Sequence, residues 1–370
     1  MRKQLPTLAF LFAVFAAPTL LTAQTEVPVE TLISRLGDDC YTVREQAYRL
    51  LAHGDESTLS ALRAAADSQN LEIRCQAQRL TGLIETSLVQ RRITAFLIGD
   101  ASVDLPGWSR FRSVCGDDAG SREMFVAMMR AEPELWNAVA EDGESLSQAI
   151  GCRCEIIKTT NDYRRRRRAS WATVCSMLFF SACRDVRVEY QVDSVIYNLA
   201  NHGALDDPLA DELRAAKVKL LLTHWVADAG SEAAILRFQL GYRFELKSCL
   251  SPALELIRGD KARYLHHKAM LVVAALGTRK HLADVAPLLE DSTILFKRAD
   301  KGYVCQTRDA ALLASLQLSG LRPEDFGFAH LEPNRFHLYQ YNSIGFADPE
   351  KRAAAFAAWR KHQAGAAAKR

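Results

Sequence analysis

Five consecutive arginines, Arg164, Arg165, Arg166, Arg167 and Arg168 in NDYRRRRRASW, are the densest concentration of charge in the chain. Clustered guanidiniums fork onto anionic oxygens and release counterions, so the run could grip a polyanion such as a nucleic acid or a sulfated or phosphorylated polymer. The competing reading is a solvated turn ahead of the helix that opens at Trp171, its charges paired with acidic groups elsewhere in the chain. Cations at a helix start oppose the helix dipole, which gives the run a purpose beyond capping.

Other reactive residues carry weaker signals. Cys152-Arg153-Cys154 is the closest cysteine pair, yet neither Cys-x-x-Cys nor His-x-x-x-His accompanies it to complete a metal site. Cys-x-Cys is also a poor redox signature beside Cys-x-x-Cys. His266 and His267 are adjacent, and adjacent helical residues point about 100° apart, so they are read as structural. Asp117-Asp118 and Asp206-Asp207 sit in turn-like sequence, where capping explains them. No Gly-x-Ser-x-Gly, His-Glu-x-x-His, Walker loop or Gly-x-Gly-x-x-Gly occurs. The sequence therefore assigns no catalytic residue, no metal ligand and no cofactor.

The compartment follows from the first residues. Arg2 and Lys3 precede an apolar run from Leu8 to Leu21, which contains Pro18 and leads to Ala23, the layout of a secretory signal peptide over residues 1–23. The run is too short for a membrane span, and the best later candidate, Trp171 to Cys183, reads as a buried helix. The expected mature chain is soluble and exported, periplasmic or extracellular, without membrane insertion. Export also argues against a nucleic-acid partner.

The formal charge of +3 includes Arg2 and Lys3, so the remainder exerts no overall field on polyanions or membranes. Its ends differ in sign: residues 24–90 hold ten Asp and Glu against six Arg, and residues 351–370 hold six Lys and Arg and no acid. Nine cysteines, an odd number at scattered spacing, leave at least one thiol without an intrachain partner. Cys175 shares a helical stripe with Trp171, Val174, Leu178, Phe179 and Ala182, where cysteine acts as a small hydrophobe.

The elements that position these residues show a repeat. VREQA at 43–47 returns as IRCQA at 73–77, the same apolar-Arg-x-x-Ala skeleton thirty residues on. A short helix bearing Leu32, Ile33 and Leu36 precedes the first copy, and one bearing Leu59, Leu62 and Ala66 precedes the second. Thr42 and Glu45 have capping-box spacing, and Asn70 is a good cap. Degraded copies open helices at Leu265-His266-His267-Lys268-Ala269 and at Thr307-Arg308-Asp309-Ala310-Ala311, with Asp39, Asp67 and Asp260 ahead of the first three.

Residues 28–85 resemble HEAT repeats, antiparallel helix pairs marked by a turn Asp and a Val-Arg at the start of the second helix; residues 248–320 resemble them more loosely. The third copy has His266 where that family has Arg. The resemblance implies an all-α fold, an α-solenoid of HEAT-like pairs, because one pair cannot bury its own apolar face and must stack on the next. The family's Arg commonly bonds a neighbouring unit's turn, which implies structural roles for Arg44, Arg74 and Arg308, with Asp39 and Asp67 as partners.

The organisation read from the sequence is a leader, 1–23; repeats, 24–92; an irregular helical middle, 93–247; further repeat-like helices, 248–322; an aromatic-rich irregular segment and final helix, 323–363; and a flexible tail, 364–370. Helices are expected over Ser121–Arg130, Pro133–Ala140, 169–183, 190–200, 208–228, 232–246 and His281–Leu289, and no sheet is expected. The implied function is binding of a protein partner as a scaffold, with no catalysis. The alternatives are a polyanion binder using Arg164 to Arg168 and an enzyme or lyase-like helper on the same scaffold.

Overall fold

The computed structural model describes residues 27–139, 142–160, 169–183, 185–227, 233–259, 265–298 and 302–367. The expected leader 1–23 and Asp260 lie outside the described residues. So does every member of the expected polyanion patch: Arg164, Arg165, Arg166, Arg167 and Arg168. Among the described residues are eighteen α-helices and one two-stranded sheet, so the fold is mostly helical. The chain divides into two compact units, Met1–Thr94 and Ala95–Arg370.

The first unit holds α1 (Val29–Arg35), α2 (Tyr41–Leu51), α3 (Glu56–Ala65) and most of α4 (Leu71–Leu97). Its core is Leu32, Leu36, Ala47, Leu51, Leu59, Leu62, Ala77, Leu80 and Ile84, the apolar positions of the helical stripes. Asn70 caps α4 by accepting from the amides of Glu72 and Ile73 at 3.0 and 3.3 Å. The capping box expected of Thr42 and Glu45 does not form: α2 starts at Tyr41, so Thr42 is already inside the first turn. Gly37 lets the α1–α2 turn approach the head of α4, since a Cβ there would lie 2.7 Å from Asn70 Nδ2.

The second unit opens with α5 (Trp108–Cys115), α6 (Ala119–Ala131), α7 (Pro133–Ala138), α8 (Gly143–Thr160) and α9 (Trp171–Ser181). Phe96, Trp108, Phe111, Phe125, Trp136, Phe179 and Phe180 form a continuous chain of ring contacts at its centre, with centroids 4.5 to 6.0 Å apart. Every residue of α9 from Ala172 to Ser181 is buried, which explains why it holds no charged residue and only the small hydroxyls of Thr173, Ser176 and Ser181 as polar groups. Asp118 caps α6 on the Ser121 amide and binds Lys217.

Next come α10 (Tyr190–Asn201), α11 (Asp206–Ala210), α12 (Glu212–Ala227), α13 (Ala234–Arg243), α14 (Leu250–Arg258), α15 (His266–Leu276), α16 (Leu282–Val285), α17 (Thr307–Leu318) and α18 (Pro349–Ala367). The helix expected over 208–228 is broken at Asp211, which turns extended and caps the next stretch on the Arg214 amide. The helix expected over His281–Leu289 is a single α-turn between two 3₁₀ turns, the second carrying a proline in its first turn. α18 continues to Ala367, so the expected tail is helical over 364–367.

The insertion between α16 and α17 corrects the expectation of no sheet. β1 (Ile294–Arg298) and β2 (Tyr303–Gln306) pair antiparallel, with Phe296 opposite Cys305 and Arg298 opposite Tyr303. Tyr303 and Cys305 point inward in period two, and Val304 exchanges 3.1 Å backbone hydrogen bonds with Phe346 of the aromatic-rich segment.

Three buried or nearly buried ion pairs lock this unit. Arg237 donates to Asp193, the two side chains 5 and 4% exposed. Arg153 forks onto Glu132 at 2.6 and 2.8 Å. Arg352 of α18 forks onto Asp309 of α17 at 2.8 and 3.1 Å and also donates to the Val304 carbonyl at 2.9 Å. The same Asp309 carboxylate accepts from the Gln306 amide and so caps α17. Asp309→Asn leaves the buried Arg352 charge without its counterion, and urea denaturation should show a loss of about 3–5 kcal/mol.

Candidate functional site

The repeated arginines behave alike. Arg44 donates to the carbonyls of Asp38 and Asp39 at 2.7 and 3.1 Å, and Arg74 donates to the carbonyl of Ser68 at 3.2 Å. Position 38 and position 68 are thirty apart, like the arginines themselves, so one bond recurs at one place in each pair. The arginines thus hold their own unit's turn through backbone oxygens, where the resemblance implied a neighbouring unit's turn. Asp39 serves through its carbonyl, and the place expected for Asp67 is taken by the Ser68 carbonyl. Arg44 reaches the next pair only at 3.9 Å, toward Glu72. Arg308 does neither: it donates to Gln306 Oε1 at 2.7 Å and lies over the Phe356 ring.

These bonds leave large apolar side chains at the heads of the second helices. Tyr41 and Leu71, again thirty apart, are 66 and 63% exposed, and the Arg44 guanidinium lies 5.8 Å from the Tyr41 ring centroid.

The reactive pairs separate. Cys152 is exposed, Cys154 is buried and Arg153 between them is spent on Glu132, because three consecutive helical residues face three directions. His266 sits 3.1 Å from the Gly259 carbonyl, whereas His267 is packed between Phe296 and Tyr341. All nine cysteines are free thiols: Cys40, Cys75 and Cys152 are exposed and the other six buried. Burial pushes the thiols of Cys115, Cys154 and Cys249 up to about 12. Cys40 moves down, chiefly through its hydrogen bond with Thr42. The polyanion patch expected of Arg164, Arg165, Arg166, Arg167 and Arg168 falls outside the described residues, so it contributes no geometry to any site here.

One concave site is signalled by no spacing in the sequence. A cavity of about 430 Å³ lies between α15, β1 and the 3₁₀ turn Tyr341–Ser343. α15 contributes His267 and Lys268, with Leu265 just ahead of it; the strand contributes Ile294, Leu295 and Phe296, and the 3₁₀ turn contributes Tyr341. The walls are pinned by hydrogen bonds: Thr307 N to Thr293 O at 2.9 Å, Arg308 N to Asp291 O at 2.8 Å, and Tyr303 Oη to the Asn342 carbonyl at 2.6 Å. A second hollow of about 520 Å³ lies along α18, lined largely by Gly327, Ala329, Gly345 and Ala354; its Asp325 and Lys351 are paired with Arg322 and Asp348.

Lys268 is half-buried at the first cavity, its Nζ 4.7 Å from the Tyr341 ring centroid. It is the only charged residue within α15 beside two histidines, and among the described residues its ammonium forms no hydrogen bond or ion pair. Burial lowers its pKa below the usual lysine range. Close by, His337 is 8% exposed and its Nε2 lies 3.1 Å from Gln239 Nε2, which donates to it. Burial first, and the charge of Lys268 second, push His337 down to about 4, so the ring is neutral near pH 7.

No protein-family model matches the sequence, and none of the curated proteins matches it. Among the described residues no three His, Cys, Asp or Glu side chains gather so as to hold a metal ion, and no helix is long and apolar enough to cross a membrane.

Two expectations follow. A thiol reagent should modify Cys40, Cys75 and Cys152 in the native protein, Cys40 fastest, and all nine cysteines after denaturation. The depressed pKa of His337 adds stability that is complete above the unfolded value, about 6.5, and is lost as pH falls toward about 4. Denaturation at pH 7, 5.5 and 4.5 should show that decline, and His337→Gln should flatten it.

Proposed function

We propose that this protein is an exported binding scaffold whose first unit consists of two HEAT-like repeats, and that it holds a partner protein without chemistry of its own. The observation that carries the reading is Tyr41 and Leu71: equivalent positions thirty residues apart, each a large apolar side chain more than half exposed at the head of a second helix. Exposed aromatic and aliphatic side chains at a regular spacing suit anchors for another macromolecule better than they suit water. The recurring arginine-to-turn bond supports the repeat reading, since it fixes those heads in the same way twice.

Charge narrows the partner. Ten acids against six arginines over 24–90 favour a contact surface that brings apolar side chains together with Lys or Arg. The stretch Leu8 to Leu21 behind Arg2 and Lys3 supports export, which places the partner in the periplasm or outside the cell.

Affinity capture with the mature chain, read by mass spectrometry, is expected to recover a small set of proteins that the double variant Tyr41→Ser, Leu71→Ser loses. Leu213→Ser, at a residue 76% exposed in the second unit, should retain them. Equal recovery by all three chains refutes the reading.

A further inference from the structure

We propose that the cavity bounded by α15, β1 and the turn at Tyr341 is a binding site for a small monocarboxylate with an apolar body, its carboxylate on Lys268 Nζ and its body against Phe296 and Tyr341. The inference is independent of the scaffold reading, which concerns the first unit.

Among the described residues, Lys268 carries a charge that meets no counterion. Withdrawing a cation from water costs free energy that native structures recover with a counterion or hydrogen bonds. The other deeply placed cations of this unit recover it: Arg237 on Asp193, Arg352 on Asp309 and Arg153 on Glu132. Lys268 is the exception. It is half-buried in a helix whose remaining side chains are mostly buried and apolar, and its ammonium lies 4.7 Å from the Tyr341 ring centroid. A lysine that serves packing alone would be replaced without loss by Met or Leu; one that meets a ligand needs this open geometry.

The surroundings fix the class of ligand. One ammonium balances one negative charge. His337 senses the charge of Lys268 but is kept neutral, by its burial first and by Lys268 second, so it adds no second cation. Asp291 also lines the cavity, its carboxylate accepting from the Thr293 amide at 2.9 Å, and it supplies no further cation for a dianion such as a phosphate monoester. Phe296, Tyr341, Leu265 and Ile235 make most of the remaining wall apolar, and about 430 Å³ falls within the size range of small-molecule sites. A monoanionic head and an apolar body therefore match the site; a polyol or a phosphate does not.

Titration calorimetry on the full mature chain with octanoate, octan-1-ol and octylammonium tests the assignment. Octanoate should bind saturably at one site, and Lys268→Met should weaken it by about tenfold or more while leaving the weaker binding of octan-1-ol unchanged. Equal affinity of both proteins for octanoate, preference for octylammonium, or no saturable octanoate binding up to millimolar concentration overturns the proposal. A second readout needs no variant: carbon-13 NMR of lysine Cε should show the Lys268 titration midpoint rising when octanoate, but not octan-1-ol, is added. An unmoved midpoint also overturns it. Neither result depends on Tyr41 or Leu71, so the two readings fail separately.

Discussion

The carboxylate of Asp309 is where the C-terminal part of the chain converges. It is fully buried, it caps α17, and it holds Arg352 of α18, whose guanidinium also reaches the backbone of β2. A helix, a strand and a second helix thus share one charge pair. Such a pair adds little net stability, because desolvation offsets most of its attraction, but it tolerates only one arrangement of its donors and acceptors. Once β2 is placed, β1 follows by pairing, and with it Phe296 at the wall of the cavity. The aromatic segment is tied in at the same strand through Val304 and Phe346.

Where a local pattern was sufficient, the sequence was readable. The stripes through Leu32, Leu62 and Leu80, the cap at Asn70 and the uncharged, mostly apolar stretch from Ala172 to Ser181 obey helical periodicity and local hydrogen bonding, and the structure places them accordingly. The hairpin was not readable because its strands are five and four residues long, too short for an alternation to stand out, and one carries a register shift. The break at Asp211 was hidden for the opposite reason: helical periodicity continues on both sides, and only the backbone turn at a single residue interrupts it.

The cavity was illegible on other grounds. Its lining comes from α15, β1 and the turn at Tyr341, segments joined only by tertiary contacts, so no spacing along the chain could announce it. The trace it left in the sequence is Lys268 itself, a lone lysine in a helix otherwise built for the interior. Conversely, the most conspicuous local pairs proved ordinary where they are described. Cys152 and Cys154 face different environments, and His266 and His267 take separate neighbours, because a helix turns residues one and two apart away from each other.

The self-contained manner in which Arg44 and Arg74 secure their turns bears on how such a chain can change. Each guanidinium finds its acceptors a few residues upstream, on main-chain oxygens that exist whatever side chains are present. A thirty-residue segment therefore carries its own corner brace, and a copy of that segment in a gene would bring this bond along with it. Duplication of such a segment would preserve the brace while selection rewrote its outward-facing residues.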